Sequence, residues 1–542
     1  SLLRQEAARG TEKAAGSLGQ LFNGVFQGHA TRDLGRDEPA DGDWTTVRRS
    51  FVVRRRTVQQ LGGATTEVNL GAATLSAPGL SGTATTHFGT KGREVAASLL
   101  NDNLRNALAA SGMLDGQTVE LADAQQTGPS TRSLGDQPAM ELRLNAPAEG
   151  FGQVVLATDE AGVVTWHVAI DGAGTRGAAP SAQRRYLVPQ SVPTEQAADT
   201  RGLLGVLGKK ILKELVFPLV DPIAGEIGAM FVNAMEKSRW PYRIRHFTPN
   251  DYTLDAAPAM TGDDWRRLSR GRALLFVHGT FSRAHLAFSQ LPVDYMTELH
   301  RRYDGRVFAF DHFTLSHDPR ENIRQLLTFI PDGTTLDVDI VCHSRGGLVS
   351  RVLSERLSEF DMRSRSLRVN RIVFVGAPNA GTPLADPKRM GDLLDIFTNA
   401  FDYLPDNGVT DVLSMILSVV KQLAVGTLKG LDGLQSMYSE SEYAKQMNSG
   451  ARHGDTKYFA ITSNARPSEP GLKRLIVTKG LNTLMGGAND LVVPTEGVFK
   501  ENGSGYFPIE DKLVLEGSDG VSHTHYFASD SARRRMLEWL GG

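Results

Sequence analysis

Cysteine is nearly absent from this 542-residue chain, with Cys342 as its only example. A lone thiol excludes an intramolecular disulfide framework and a cysteine-rich metal site, and it fits a reducing compartment. An excess of either charge is lacking too, since Lys+Arg 59 stand against Asp+Glu 61. With no basic stripe interleaved with aromatics, nucleic acid is not expected as a partner. No uninterrupted apolar run reaches the roughly 18 residues of a membrane helix. The opening SLLRQEAARGTEKAAG lacks the charged-then-apolar pattern of a signal peptide. A cytoplasmic location is the expectation, with a secreted or effector location the alternative if a leader has been removed.

What is present is the composition of a globular protein, 40% hydrophobic and 22% charged, so a sizeable core can be buried. Residues 1–43, rich in Gly, Ala and charge, read as a flexible leader. Short alternating runs such as MELRLNAP and QVVLATDEAGVVTWHVAI then predict an α+β accessory module over residues 44–195. The second run is a hairpin turning at Asp159 to Gly162, and one helix is expected from about Arg93 to Leu114. VPQSVPTEQAADT reads as a linker.

Residues 196–270 are expected to be a helical connector. Its stretch GLLGVLGKKILKELVFPLVDPIAGEIGAMFVNAMEK is apolar but broken by Lys209, Lys210, Lys213, Asp221 and Glu226. Pro218 and Pro222 divide it into at least two helices. Packing on a core is the plainer reading, and peripheral membrane contact by an interfacial helix through residues 202–235 is the other. From residue 271 strands alternate with helices: ALLFVHG, a helix from Arg283 to Tyr303, RVFAFDH, a helix from Arg320 to Phe329, LDVDIVCHS, a helix from Gly346 to Leu357, then RIVFVGAP, KYFAITSN, KLVLEG and a terminal helix SARRRMLEWL. That alternation predicts a mostly parallel sheet covered on both faces, an α/β fold.

DIVCHSRGGLVSRVL places Ser344 between an apolar strand and a helix, the setting of a nucleophile elbow. The serine there sits in strained backbone, and the positions two before and two after it, Cys342 and Gly346, must be small. Cys342 as the nucleophile fails on position, since it still belongs to the strand. The loop His278-Gly279-Thr280-Phe281 and the residue after the serine should supply oxyanion donors, from the amides of Thr280 and Arg345, with Phe281 second to Thr280. His278 precedes the serine and is expected to brace the loop. The acid and base should follow in the order acid then histidine. Asp490 in GGANDLVVPTEGV is the preferred acid, with Glu496 and Asp386 in reserve. His523 is preferred to His525 as base, because Tyr526 and Phe527 look like the opening of the terminal helix.

Together FVHGTF, CHSRGG, VGAPNAGTP, NDLVVP and VSHTHYF resemble the α/β-hydrolase superfamily, above all its bacterial lipase-like and esterase-like members, over about the C-terminal half. The cysteine in the first glycine position of the elbow is a departure from that pattern. The resemblance implies a Ser-His-Asp triad of Ser344, His523 and Asp490, no metal or organic cofactor, and hydrolysis of a small-molecule ester or lipid through an acyl-enzyme. It also implies a helical cap, for which residues 388–448 qualify. There Leu393, Leu394, Ile396, Phe397, Phe401, Leu413, Ile416, Leu417, Val420 and Leu423 recur at helical spacing, and one face is expected to line an apolar acyl pocket. An acyltransferase, thioesterase or amidase would use the same residues. Two further alternatives are a non-catalytic hydrolase-fold binding protein and a membrane-surface effector or toxin.

Overall fold

The computed structural model describes residues 56–63, 67–128, 130, 132–134, 137–170, 182–190, 206–219, 231–402, 408–449, 454–500 and 507–541. The expected leader and residues 191–200 of the expected linker lie outside the described residues.

Alternation of period two in the N-terminal half becomes two stacked antiparallel sheets. Its strands are β1 (Val58–Gly62), β2 (Val68–Asn69), β3 (Ala73–Ser76), β4 (Leu80–His87), β5 (Leu114–Gln126), β6 (Ser133–Leu134), β7 (Gln137–Asn145), β8 (Phe151–Asp159), β9 (Val164–His167), β10 (Gln183–Pro189) and β11 (Val206–Pro218). One sheet runs β1-β4-β5-β11-β8-β9 and the other β10-β7-β3-β2, with β6 on β7. Along β8, Val155 and Ala157 pack into the core between the sheets, while Val154 and Leu156 face the opposite way into a larger core shared with the C-terminal half. Both faces are therefore buried, which is why this strand reads as a nearly continuous apolar run.

The expected hairpin is present, with β8 paired to β9. The helix expected over Arg93 to Leu114 is instead two, α1 (Gly89–Ala97) and α2 (Asp102–Ala110). They separate because the Asn101 side chain accepts from the Leu104 amide at 2.9 Å and caps a fresh start. The expected linker begins too early as well. Val188 and Pro189 end β10, and buried Gln190 donates to the carbonyls of Pro78 and Ala139.

The helical connector is corrected more deeply. Residues 206–218 are strand β11, hydrogen-bonded between β5 and β8 in the middle of the six-stranded sheet. Three charged residues of this strand, Lys210, Lys213 and Glu214, are buried and bonded to neighbouring strands. Lys210 donates to the Pro189 carbonyl at 2.6 Å, Lys213 meets Asp115 at 2.7 Å, and Glu214 accepts from Gln153 at 2.5 Å and from the Gln117 amide at 3.1 Å. Partners distant in sequence remove the burial cost that would otherwise send these charges to a surface. Over residues 206–218 the chain is thus a strand and not an interfacial helix. A helix follows, α3 (Phe231–Arg239), and β12 (Arg243–His246) already belongs to the next sheet, ahead of the start expected at residue 271.

That sheet contains seven strands in the order β12-β14-β13-β15-β16-β17-β18, with β13 (Arg272–Val277), β14 (Val307–Asp311), β15 (Thr335–His343), β16 (Ser366–Val375), β17 (Lys457–Ser463) and β18 (Ile509–Leu515). Only β12 is antiparallel to its neighbour. Between strands run α4 (Gly262–Leu268), α5 (Val293–Arg302), α6 (Pro319–Phe329) and α7 (Gly346–Glu355). The stretch read as a helix from Arg283 splits into Ala284–Ala287 and α5, since Pro292 provides the N-cap of the second. Residues 388–448 carry α8 (Met390–Asp402), α9 (Val409–Ala424) and the short helices Asp432–Gln435 and Glu442–Asn448. The chain closes on α10 (Asp530–Gly541). α9 packs on α2, α3 and β8, and α8 packs on β9, so the N-terminal sheet lies directly against the cap helices.

Candidate active site

β15 occupies the middle of the parallel sheet, and its buried run delivers the chain to Ser344 at the strand's C-terminal end. Ser344 has φ +53, the left-handed region that costs a non-glycine residue, and α7 starts two residues later. Its amide donates to the Val375 carbonyl at 2.9 Å, which ties the turn to β16. A Cβ on Gly346 would stand 2.4 Å from the Val277 carbonyl oxygen, so only glycine lets α7 cross β13 this closely. Cys342 lies below the turn and is fully buried, with Sγ on the Val373 carbonyl at 3.4 Å. Burial pushes its thiol up to about 12, which suits a packing residue and not a nucleophile.

Three sequence-predicted residues meet. His523 Nε2 is 2.9 Å from Ser344 Oγ, and His523 Nδ1 is 2.8 Å from Asp490 Oδ2. All three are buried. Asp490 sits in a tight loop, followed by Leu491 at φ +86, and its Oδ1 accepts from the amides of Val492 at 3.0 Å and Val493 at 2.7 Å. Burial alone would raise this carboxyl, but the facing His523 and these hydrogen bonds hold it below its ordinary range. The reserve residues lie elsewhere. Asp386 caps a turn through the Lys388 amide, Glu496 is paired with Lys500 at the surface, and His525 Nδ1 contacts Ser522 Oγ.

Two neighbours were missed in the sequence. Tyr526 does open the turn before α10, yet its hydroxyl also donates to Asp490 Oδ2 at 2.8 Å. Burial raises its phenol well above the ordinary range, so it remains a donor. His343, inside the elbow motif, places Nε2 2.9 Å from the His523 carbonyl oxygen and so carries its proton there. Burial, with the His523 charge nearby, pushes His343 down to about 3 and keeps it neutral. Only the presence of both residues in quoted motifs hinted at such contacts.

The loop after β13 passes over the serine so closely that a Cβ on Gly279 would stand 2.5 Å from Ser344 Cβ. Neither the Thr280 nor the Arg345 amide has a protein acceptor among the described residues. Phe281 takes φ +52 with its ring buried. His278 braces the loop, with Nδ1 3.0 Å from the Gly279 carbonyl oxygen, Nε2 accepting from the His312 amide, and its ring stacked on His312. Burial pushes it down to about 4, so it stays neutral. The Arg345 side chain is buried, and among the described residues it has no carboxylate partner in hydrogen-bond range. It donates to the carbonyls of Gly433 and His317 and to Asn322 Oδ1.

Beside His523 opens a cavity of about 260 Å³, walled on its apolar side by Leu286, Ala287, Phe397, Phe401, Val409 and Val412. Among the described residues no cluster of His, Cys, Asp or Glu could hold a metal ion, and no helix is long and apolar enough to cross a membrane. The site therefore presents a serine hydroxyl hydrogen-bonded to a buried imidazole, a carboxylate behind the imidazole, and free amides near the hydroxyl.

Residues 239–541, more than half of the chain, match the sequence profile of a family described as a domain of unknown function, DUF7379. The chain belongs to that family. No curated protein matches it. Solved structures similar to this DUF7379 protein include the Bacillus licheniformis lipase BlEst2 in mature form, at 17% identity and TM-score 0.31, covering 49% of this chain and 91% of the lipase. Lipase 1 from Pelosinus fermentans follows at 12% identity and TM-score 0.33, covering 50% and 97%. The Staphylococcus hyicus lipase aligns at 12% identity and TM-score 0.31, covering 49% and 92%. The DUF7379 region has the α/β-hydrolase fold. Its own parallel sheet, the elbow closing a central strand, and the chain order serine, aspartate, histidine mark that fold.

Proposed function

We propose that this DUF7379 protein is a serine hydrolase that cleaves carboxylic esters with an apolar acyl chain. The observation that carries the reading is the continuous hydrogen-bonded line from Ser344 Oγ through His523 to Asp490, at 2.9 and 2.8 Å. In this mechanism His523 Nε2 takes the serine proton as Oγ attacks the ester carbonyl. The amides of Thr280 and Arg345 stabilise the tetrahedral oxyanion, each donor contributing on the order of 10²–10³ in rate. His523 then protonates the leaving alcohol, and water, activated by the same imidazole, releases the acid from the acyl-enzyme.

Asp490 keeps the Nδ1–H tautomer and stabilises the imidazolium. The Tyr526 hydroxyl and the two loop amides keep that carboxylate ionised. Position and lining of the 260 Å³ cavity support an apolar acyl group, because its wall of Leu286, Phe397, Phe401 and Val412 carries no charge.

Hydrolysis of nitrophenyl esters from acetate to decanoate by the wild type and by Ser344→Ala, with fluorophosphonate labelling alongside, tests the proposal. Turnover and labelling that both vanish in the variant support it. A wild type that neither labels nor hydrolyses any ester rejects it in favour of a binding scaffold.

A further inference from the structure

The N-terminal sheet has no chemistry of its own in this reading, yet its edge meets the helix that walls the cavity. β9 is the last strand of the six-stranded sheet, so among the described residues one side of its backbone has no strand neighbour in that sheet. Cap helix α8 fills that place with side chains. Asn399 accepts from the Val164 amide at 2.9 Å and donates to the Val164 carbonyl at 2.7 Å, the two-bond pattern of a neighbouring strand. Asp395 accepts from the Trp166 amide at 2.8 Å, and Thr398 accepts from the Trp166 indole at 2.9 Å. All five residues are buried. The other oxygen of Asp395 is held by Lys479 at 2.7 Å, which fixes the carboxylate.

Residues two apart on a helix point about 200° from each other. The helix that gives Asp395 and Asn399 to β9 therefore turns Phe397 and Phe401 into the cavity. Phe397 meets Phe281 of the loop beside the serine, ring centroids 5.0 Å apart, and faces His523 edge-on at 6.2 Å. A displacement of α8 would therefore move this wall of the cavity.

We infer that the N-terminal sheet is a working part of the substrate site: through Val164 and Trp166 it positions α8, and with it the apolar wall that selects the acyl chain. Asn399, Thr398 and Asp395 are positioning residues, and the cap is a fixed wall held from outside the DUF7379 region. The activity readouts rest on the serine hydrolase reading; the exchange readout does not.

The test uses the full chain with Asn399→Leu, and Trp166→Phe as a milder variant that loses the indole donor but keeps a ring. Hydrogen exchange is followed in segments 390–402 and 346–355, with fluorophosphonate labelling and KM and kcat for four- to ten-carbon nitrophenyl esters. In the variants, exchange of 390–402 should rise about tenfold while 346–355 is unchanged, the effect of losing one or two buried hydrogen bonds locally. KM for the longer esters should rise about fivefold, with kcat and labelling within about twofold. Exchange that rises alike in both segments, or in neither, overturns the inference, as does an unchanged KM profile alongside faster exchange in 390–402. A wild type that does not label defeats the hydrolase reading, and the exchange result still decides whether β9 holds α8.

Discussion

Two buried polar networks flank the cavity, one around Asp490 and one around Asp395, and they end differently. Around Asp490 every oxygen is engaged, by Tyr526, His523 and two amides, but the line continues through His523 to the Ser344 hydroxyl beside the cavity. Around Asp395 the line closes on itself, because the carboxylate, Asn399 and Thr398 spend their groups on β9 and Lys479. An open end is what chemistry requires; a closed network yields only position.

That contrast predicts that damage to the first network removes activity and damage to the second removes stability. The largest effect is expected from Ser344→Ala, a loss of at least about 10⁴ in kcat/KM for nitrophenyl esters, with Asp490→Asn close behind at about 10³–10⁴, and both folded by circular dichroism. A reduction under tenfold in either variant would break the comparison at its open end.

Acid comes next. His278 and His343 are held neutral near about 4 and about 3 by burial, against about 6.5 in an unfolded chain. Below pH 6.5 the unfolded state binds protons that the fold excludes, so stability falls as pH falls. Between pH 7 and 5 the pair should lower unfolding free energy on the order of 4 kcal/mol, measured by urea titration. Asp490, depressed in the fold, adds its own loss below about pH 4. Equal stability at pH 7 and 5 would show that these imidazoles do not stay neutral.

Asn399→Leu, which strands the Val164 amide and carbonyl, should cost about 1–3 kcal/mol of stability while Ser344 still labels. Loss of labelling in a folded variant would erase the distinction between the two networks. The smallest effect is expected from Tyr526→Phe. Asp490 keeps His523 and both amides, so kcat should fall about tenfold or less, and a loss near that of Asp490→Asn would place Tyr526 on a par with the triad.

Legibility in the sequence follows the range of the forces involved. The elbow is local: a buried strand, a strained serine and a glycine two residues on all lie within DIVCHSRGG, so Ser344 could be chosen from that string. Asp490 and His523 could be placed because each follows a late strand in the expected order. Tyr526 escaped, since a residue that opens a helix gives no sign that its hydroxyl reaches back to Asp490. β11 escaped for a stronger reason. Ile211, Leu212, Leu215 and Val216 sit at spacings a helix would use, much as Leu413, Ile416, Leu417 and Val420 do in α9. What made one a strand was the pairing of Lys210, Lys213 and Glu214 with β10, β5 and β8.

The chain's own pattern of apolar runs, turns and small residues thus settled the α/β half and which serine sits at its strained turn, because backbone sterics act over a few residues. Where the buried charges of β11 found partners, and that β9 would brace the wall of the cavity through α8, was left to the fold. Those outcomes depend on which distant polar groups arrive together once water is excluded, and no local spacing records that.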